Sequence, residues 1–127
     1  PDQFHLTKQI QTACGNAKLA ACRLSGREAP VHEDNETSIA ELKARINATA
    51  DYLRSFQAED FAGAAEKQIV LPFMPDLYMN GEEYFEEFVI PNFYFHLNMA
   101  YAILRESGVH LGKQDYMGSL PLKPLQK

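Results

Sequence analysis

The chain has 127 residues, enough for a single domain with one hydrophobic core and not for two. Its 46% apolar and 23% charged residues exclude a disordered chain. A net charge of -5, with lysines and arginines scattered from Lys8 to Lys127, excludes the basic face that nucleic acid requires. No apolar run approaches the roughly 20 residues that cross a bilayer, and nothing at the start reads as a secretory signal, so neither nucleic acid nor membrane is an expected partner and the expected setting is the cytoplasm.

The chain opens at Pro1 without an initiator methionine and runs almost at once into a helical pattern, so a preceding segment is expected to be missing. From Phe4 to Leu24 the apolar residues Leu6, Ile10, Ala13, Ala17, Ala20 and Leu24 recur at spacings of three and four, which predicts a helix with one buried stripe. Gly26 follows as a left-handed stop, and Pro30 prevents an immediate restart. Gly15, in the middle, costs about 1 kcal/mol of helix propensity relative to alanine, and marks a close approach to another helix or to a ligand. Cys14 and Cys22 lie about 12 Å apart along the same helix. That is too far for a disulfide, and neither belongs to a CxxC or Cys/His set, so both read as small buried thiols.

An acidic connector, His32 to Thr37, leads to Ser38-Ile39-Ala40-Glu41, which reads as a capping box. The second helix starts there, with Ile39, Leu42, Ile46, Ala50, Leu53 and Phe56 toward a core and Glu41, Lys43, Arg45, Asp51 and Arg54 toward water. Glu33 to Glu36 lack the spacing and turn glycine of a calcium loop, and read as acids favoured near a helix start. Asn35-Glu36-Thr37 and Asn47-Ala48-Thr49 match the glycosylation triplet, which has no meaning without secretion.

Between Gln68 and Gly81, the stretches Ile69 to Phe73 and Leu77 to Met79 predict a short hairpin, kept from being a central sheet by Pro72 and Pro75. The last helix is expected from about Glu82 to Glu106, kinked or restarted at Pro91 and stopped at Gly108. After Pro91 it is apolar on nearly every side, which predicts a central position in a bundle. The tail, 113–127, has no periodicity and is expected to be irregular.

The segments Gln9 to Ala13, Ala17-Lys18, Arg23-Leu24, Glu33 to Thr37, Pro91 to His96, Ala100 to Arg105 and Gly112 to Tyr116 follow one another in a familiar order. The chain resembles an uncharacterised branch of the DinB/YfiT-like superfamily over Pro1 to Gly118, with the run from Pro91 to Arg105 as its most specific part. The resemblance implies an all-α, four-helix bundle whose first helix is the segment missing before Pro1, with a β-hairpin-like connector before the last helix. A bundle short of one helix exposes apolar surface, so another chain or further residues are expected to cover it, and because members of this superfamily often pair as dimers the resemblance implies a homodimer.

The resemblance also implies a divalent metal held by three histidines, two of them one turn apart on the last helix. This chain departs from that pattern, because Asn92 and Ala100 stand four residues either side of His96. Asn92 and His96 share a face, and burying both requires hydrogen-bonding partners, for which His5 and Gln9 on the first helix are candidates. The expected site is therefore a pocket of His5, Gln9, Asn92 and His96 for a small, partly apolar ligand, without cofactor. The alternative, carried by the resemblance, is a hydrolase or thiol transferase using a divalent metal such as zinc or nickel on His5 and His96, with a third ligand from the missing helix. A second polar stripe, Tyr94, Asn98, Tyr101 and Arg105, reads as packing or as an interface.

Overall fold

In the computed structural model, which describes residues 2–127, α1 (Leu6–Ser25) begins where His5 turns its Nδ1 back to accept the Lys8 amide at 3.4 Å. It ends at Gly26, which adopts φ 80° and donates its N–H to the Cys22 carbonyl. Lys67 Nζ satisfies another terminal carbonyl, that of Leu24, at 3.1 Å. Helix α2 (Ile39–Arg54) is capped by Ser38, whose hydroxyl accepts the Glu41 amide at 3.1 Å. The Glu41 carboxylate reaches past Ser38 to the Thr37 amide at 2.6 Å, so the expected capping box is closed one residue earlier.

Two short 3₁₀ turns, Ala58–Phe61 and Ala64–Glu66, lead into β1 (Gln68–Ile69), which pairs antiparallel with β2 (Met79–Asn80), Gln68 opposite Asn80 and Ile69 opposite Met79. The hairpin is shorter than the apolar runs suggested. Pro72 and Pro75 leave no amide for a ladder, and they fall in the loop between the strands. Gly81 follows directly. A Cβ there would stand 1.7 Å from the Ala64 carbonyl oxygen, so only glycine lets the helix start this close to the connector.

The last long helical stretch is continuous but not uniform: α3 (Gly81–Glu83), a π-helical segment (Tyr84–Val89) and α4 (Ile90–Glu106) run end to end. Asn80 and Glu83 close a reciprocal capping box at its start. The expected discontinuity near Pro91 takes the form of this wider turn, with the Ile90 amide reaching back to the Phe85 carbonyl immediately before the proline. Five residues of the tail expected to be irregular form α5 (Lys113–Met117), docked by an edge-to-face contact of Tyr116 on Tyr101.

α1, and not the apolar last helix, occupies the centre: it packs against both α4 and α2, which hardly touch each other. The core is concentrated where α1 meets the connector and the π segment, around Ala20, Leu24, Ile69, Leu71, Tyr84 and Val89. Tyr84 is fully buried, and its hydroxyl accepts from Arg23 Nη1 at 3.0 Å. Toward the other side the expected stripe of α2 is only partly covered, with Ile39 at 56%, Ile46 at 43% and Leu53 at 36% exposure. Arg45, expected in water, is buried instead and bound to Glu36 and Asp34. Among the described residues no helix is long and apolar enough to cross a membrane.

Candidate functional site

One face of α1 forms the floor of a cleft of about 430 Å³. Lys8, Thr12, Gly15, Leu19 and Arg23 succeed one another on it at three- and four-residue steps, the spacing that puts side chains on one helical face. The walls come from the connector (His32, Asp34), α2 (Arg45), the hairpin loop (Pro72, Phe73), the π segment (Phe88) and α4 (Asn92). Space is available over Gly15, since a Cβ built there meets nothing within 4 Å. The glycine therefore does not serve close helix packing; it keeps the cleft floor low.

Asn16 ties the floor to the last helix. Its Nδ2 donates to the Val89 carbonyl at 3.0 Å, at the end of the π segment, and its Oδ1 accepts from Asn92 Nδ2 at 3.0 Å. A π turn commonly re-aims backbone groups at functional sites, and here it presents a carbonyl to a buried asparagine. On the opposite wall Arg45 Nη1 donates to Glu36 at 2.9 Å, to Asp34 at 3.1 Å and to the Glu33 carbonyl at 3.3 Å. Gln11 Nε2 holds the second Glu36 oxygen at 2.7 Å. Burial alone would raise the Glu36 carboxyl, but these hydrogen bonds from Arg45 and Gln11 hold it below the usual range.

The four residues expected to form one pocket are divided. Gln9, fully buried, and His96, 7% exposed, do meet, His96 Nδ1 lying 2.7 Å from Gln9 Oε1. Gln9 Nε2 donates to the Phe4 carbonyl at 3.2 Å, which orients the amide with its oxygen toward the ring and places the imidazole proton on Nδ1. Burial holds the His96 pKa below its ordinary value, so the ring is neutral around pH 7. Asn92 pairs with Asn16 in the cleft, while His5 caps α1 from an exposed position. Among the described residues no three His, Cys, Asp or Glu side chains gather as a metal site. With His5 spent on a cap, and Asn92 standing where a second helical histidine would be, the donors present do not fit the three-histidine metal centre.

His96 faces a different depression. Together with Ile10, Ala13 and Ala17 of α1, Ile46, Ala50 and Leu53 of α2, and Phe93, Leu97 and Ala100 of α4, it lines an apolar groove of about 240 Å³. Cys14 lies in its floor beside Thr49, and burial raises its thiol pKa, which leaves it protonated and unreactive. Both cysteines are free. The stripe Tyr94, Asn98, Tyr101 and Arg105 does not join either depression; Arg105 Nη1 donates to the Tyr101 hydroxyl at 2.9 Å beside α5.

The cleft residues Gln11, Asn16 and Lys18 of α1 lie off its apolar stripe and are not among the residues expected at the site. A signal was present: Gln9, Gln11, Asn16 and Lys18 all lie within a helix expected to be half buried, and all four are buried.

Comparison with known proteins places this geometry. Residues 1–117 match the model of a domain of unknown function, DUF1993. The structure is similar to the crystal structure of a DinB family member protein from Shewanella denitrificans, with a TM-score of 0.93 and 47% sequence identity over 98% of this chain and 71% of that one. No curated protein matches.

Proposed function

The chain belongs to the DUF1993 domain family, an uncharacterised DinB-like branch, and from that premise we propose that it is a binding protein taking a small, partly apolar molecule in the cleft over Gly15. The observation that carries this reading is the cleft itself. It combines a floor left open by a mid-helical glycine, apolar walls at Leu19, Phe73 and Phe88, and converging polar groups at Asn16, Asn92, Lys18 and Arg45. Few, well-held polar groups on an apolar wall are the usual form of a small-molecule site. The site lies beside the expected residues: Asn92 belongs to it, and Gln9 and His96 brace the next turn of the same helix pair. The test is a screen of small aromatic compounds by amide chemical shifts, with changes centred on Gly15, Asn16 and Asn92; compounds that move only surface residues would end this reading.

The metal-dependent alternative, a hydrolase or thiol transferase on His5 and His96, needs a ligand set these residues do not supply. Metal analysis of protein purified without an affinity tag decides it: stoichiometric zinc, nickel or manganese would displace the metal-free reading.

A second observation favours an assembly role for the apolar groove. α2 and α4 flank it without meeting, α1 lines its floor with the small side chains Ala13 and Ala17, and a helix laid there gives the four-helix arrangement expected from the sequence. For the 127-residue chain alone, we take a second copy to supply that cover, as a homodimer. The two free thiols support the cytoplasmic setting.

A further inference from the structure

The chain carries a net charge of -5, yet four cationic side chains, Lys8, Lys18, Arg23 and Arg45, line the cleft against a single acid, Asp34. Glu36, which pairs with Arg45 from behind the wall, brings the count to four cations against two acids. A cleft walled by protein concentrates such an excess, because field lines there are less screened than on an open surface.

Donor capacity is also left unspent. Arg45 is 7% exposed, and its Nε is buried without a hydrogen-bond partner; His32 Nδ1, on the neighbouring wall, is in the same condition. A buried nitrogen without a partner is costly, and a guanidinium N–H can only donate. Several other polar groups of the cleft already have partners, Lys18 Nζ the Pro30 carbonyl, Arg23 Tyr84, Asn92 Asn16 and Gln11 Glu36, while Lys8 Nζ lies 5.9 Å over the Phe4 ring.

We infer that the ligand of this cleft is an organic carboxylate with an aromatic or branched apolar body, its anion drawn to the wall of His32, Lys18 and Arg45 and its body laid against Leu19, Phe73 and Phe88. This rests on the reading of the cleft as a small-molecule site. A carboxylate has two acceptor oxygens, and this wall holds two buried nitrogens without partners, His32 Nδ1 and Arg45 Nε. The apolar body answers Phe73, 67% exposed on the hairpin loop, which faces Phe88 across the cleft mouth with ring centres 6.3 Å apart. Electrostatics agree: burial, then Lys18 and Arg45, hold the His32 pKa below its ordinary value against the opposing pull of Glu36, and burial followed by Arg45 lowers Lys18.

Phenylacetate and phenylacetamide share one shape and differ in charge, and they test the inference on the intact chain. Phenylacetate is expected to shift the amides of Gly15, Asn16 and Asn92 and to raise the melting temperature by roughly 4 °C at ten times its dissociation constant. Phenylacetamide is expected to bind at least tenfold more weakly. Lys8→Gln and His32→Asn, which leave the Arg45 network intact, are each expected to weaken phenylacetate several-fold without moving the weak phenylacetamide response. Equal binding of the two compounds at these amides would overturn the anion preference and leave the pocket reading standing. No response from either compound at these amides would overturn both.

Discussion

The two sides of α1 differ in a way its amphipathic pattern alone does not suggest. One side, over Gly15, is a cleft with four cations and two buried nitrogens without partners; the other, over Ala13 and Ala17, is a groove whose polar groups among the described residues are a histidine already bonded to Gln9, a thiol and a threonine whose hydroxyl bonds back to the Arg45 carbonyl. A depression with unspent donors favours a charged or hydrogen-bonding occupant, because any other leaves the donors desolvated. A depression without them gains only from apolar burial, at about 25 cal/mol per Å². Salt separates the two: screening weakens occupancy of the cleft, while apolar burial in the groove is maintained or strengthened.

The largest expected effect sits on the cleft wall. Arg45→Met strands Glu36, whose side chain is only 7% exposed and whose other side-chain partner is Gln11, and is expected to cost about 3–5 kcal/mol in urea unfolding. The equivalent insult to the groove should leave the fold alone and act on assembly. Ile46→Asp places a carboxylate on an apolar rim that is 43% exposed, so a homodimer seen by analytical ultracentrifugation is expected to weaken by about a hundredfold, or about 2.7 kcal/mol. If wild-type chain sediments as a monomer at high micromolar concentration, a second copy does not cover this groove.

Next in size are the titrating groups, which also divide between the two sides. His96 borders the groove and His32 the cleft, and both have folded pKa values below the ordinary 6.5. The unfolded chain therefore binds more protons than the native one as pH falls through 6.5, and stability declines from that point until the folded values are passed. Glu36 acts lower down: its folded pKa lies below the ordinary 4.5, so the stability it contributes is full above that pH and is lost as pH falls through the folded value. A melting curve flat from pH 8 down to pH 5 would contradict the burial of both histidines. Gln9→Leu, which removes the acceptor of His96 Nδ1, is expected to cost about 1–3 kcal/mol.

The helices were legible in the sequence because each is bounded by local chemistry: Gly26 after α1, Ser38 before α2, and the glycine stop after α4. What could not be read was which helix lies centrally. An all-apolar α4 suggested itself, yet α1 fills the centre, because the polar Gln9, Gln11, Asn16 and Lys18 bury themselves by bonding to groups 5, 25, 73 and 12 residues away or more along the chain. Such pairings carry no periodicity. Arg45 illustrates the same point, since its position on α2 fits a solvated face until the connector folds back with Asp34 and Glu36. The pairing of Gln9 with His96 was accessible, because two buried polar groups on facing helices need each other; the pairing of Asn92 with Asn16 was not, as it depends on a π turn set just before Pro91.

The smallest expected effect discriminates most sharply between a cleft kept open and an unfilled gap. Alanine at position 15 would meet nothing within 4 Å, and glycine to alanine inside a helix gains about 0.5–1 kcal/mol of propensity. Gly15→Ala is thus expected to raise the melting temperature by a few degrees while lifting the floor of the cleft by one methyl group. If glycine is kept there only by chance, stability rises and binding of cleft ligands is unchanged. If the low floor serves a ligand body lying between Leu19 and Phe88, the stabilised variant binds it several-fold more weakly, and Gly15→Leu, which fills the cleft, abolishes binding while the protein still melts cooperatively. Gain of stability with loss of binding at this one position follows only if the ligand uses the open floor, because a methyl group that meets no protein atom can affect binding only by taking up space in the cleft.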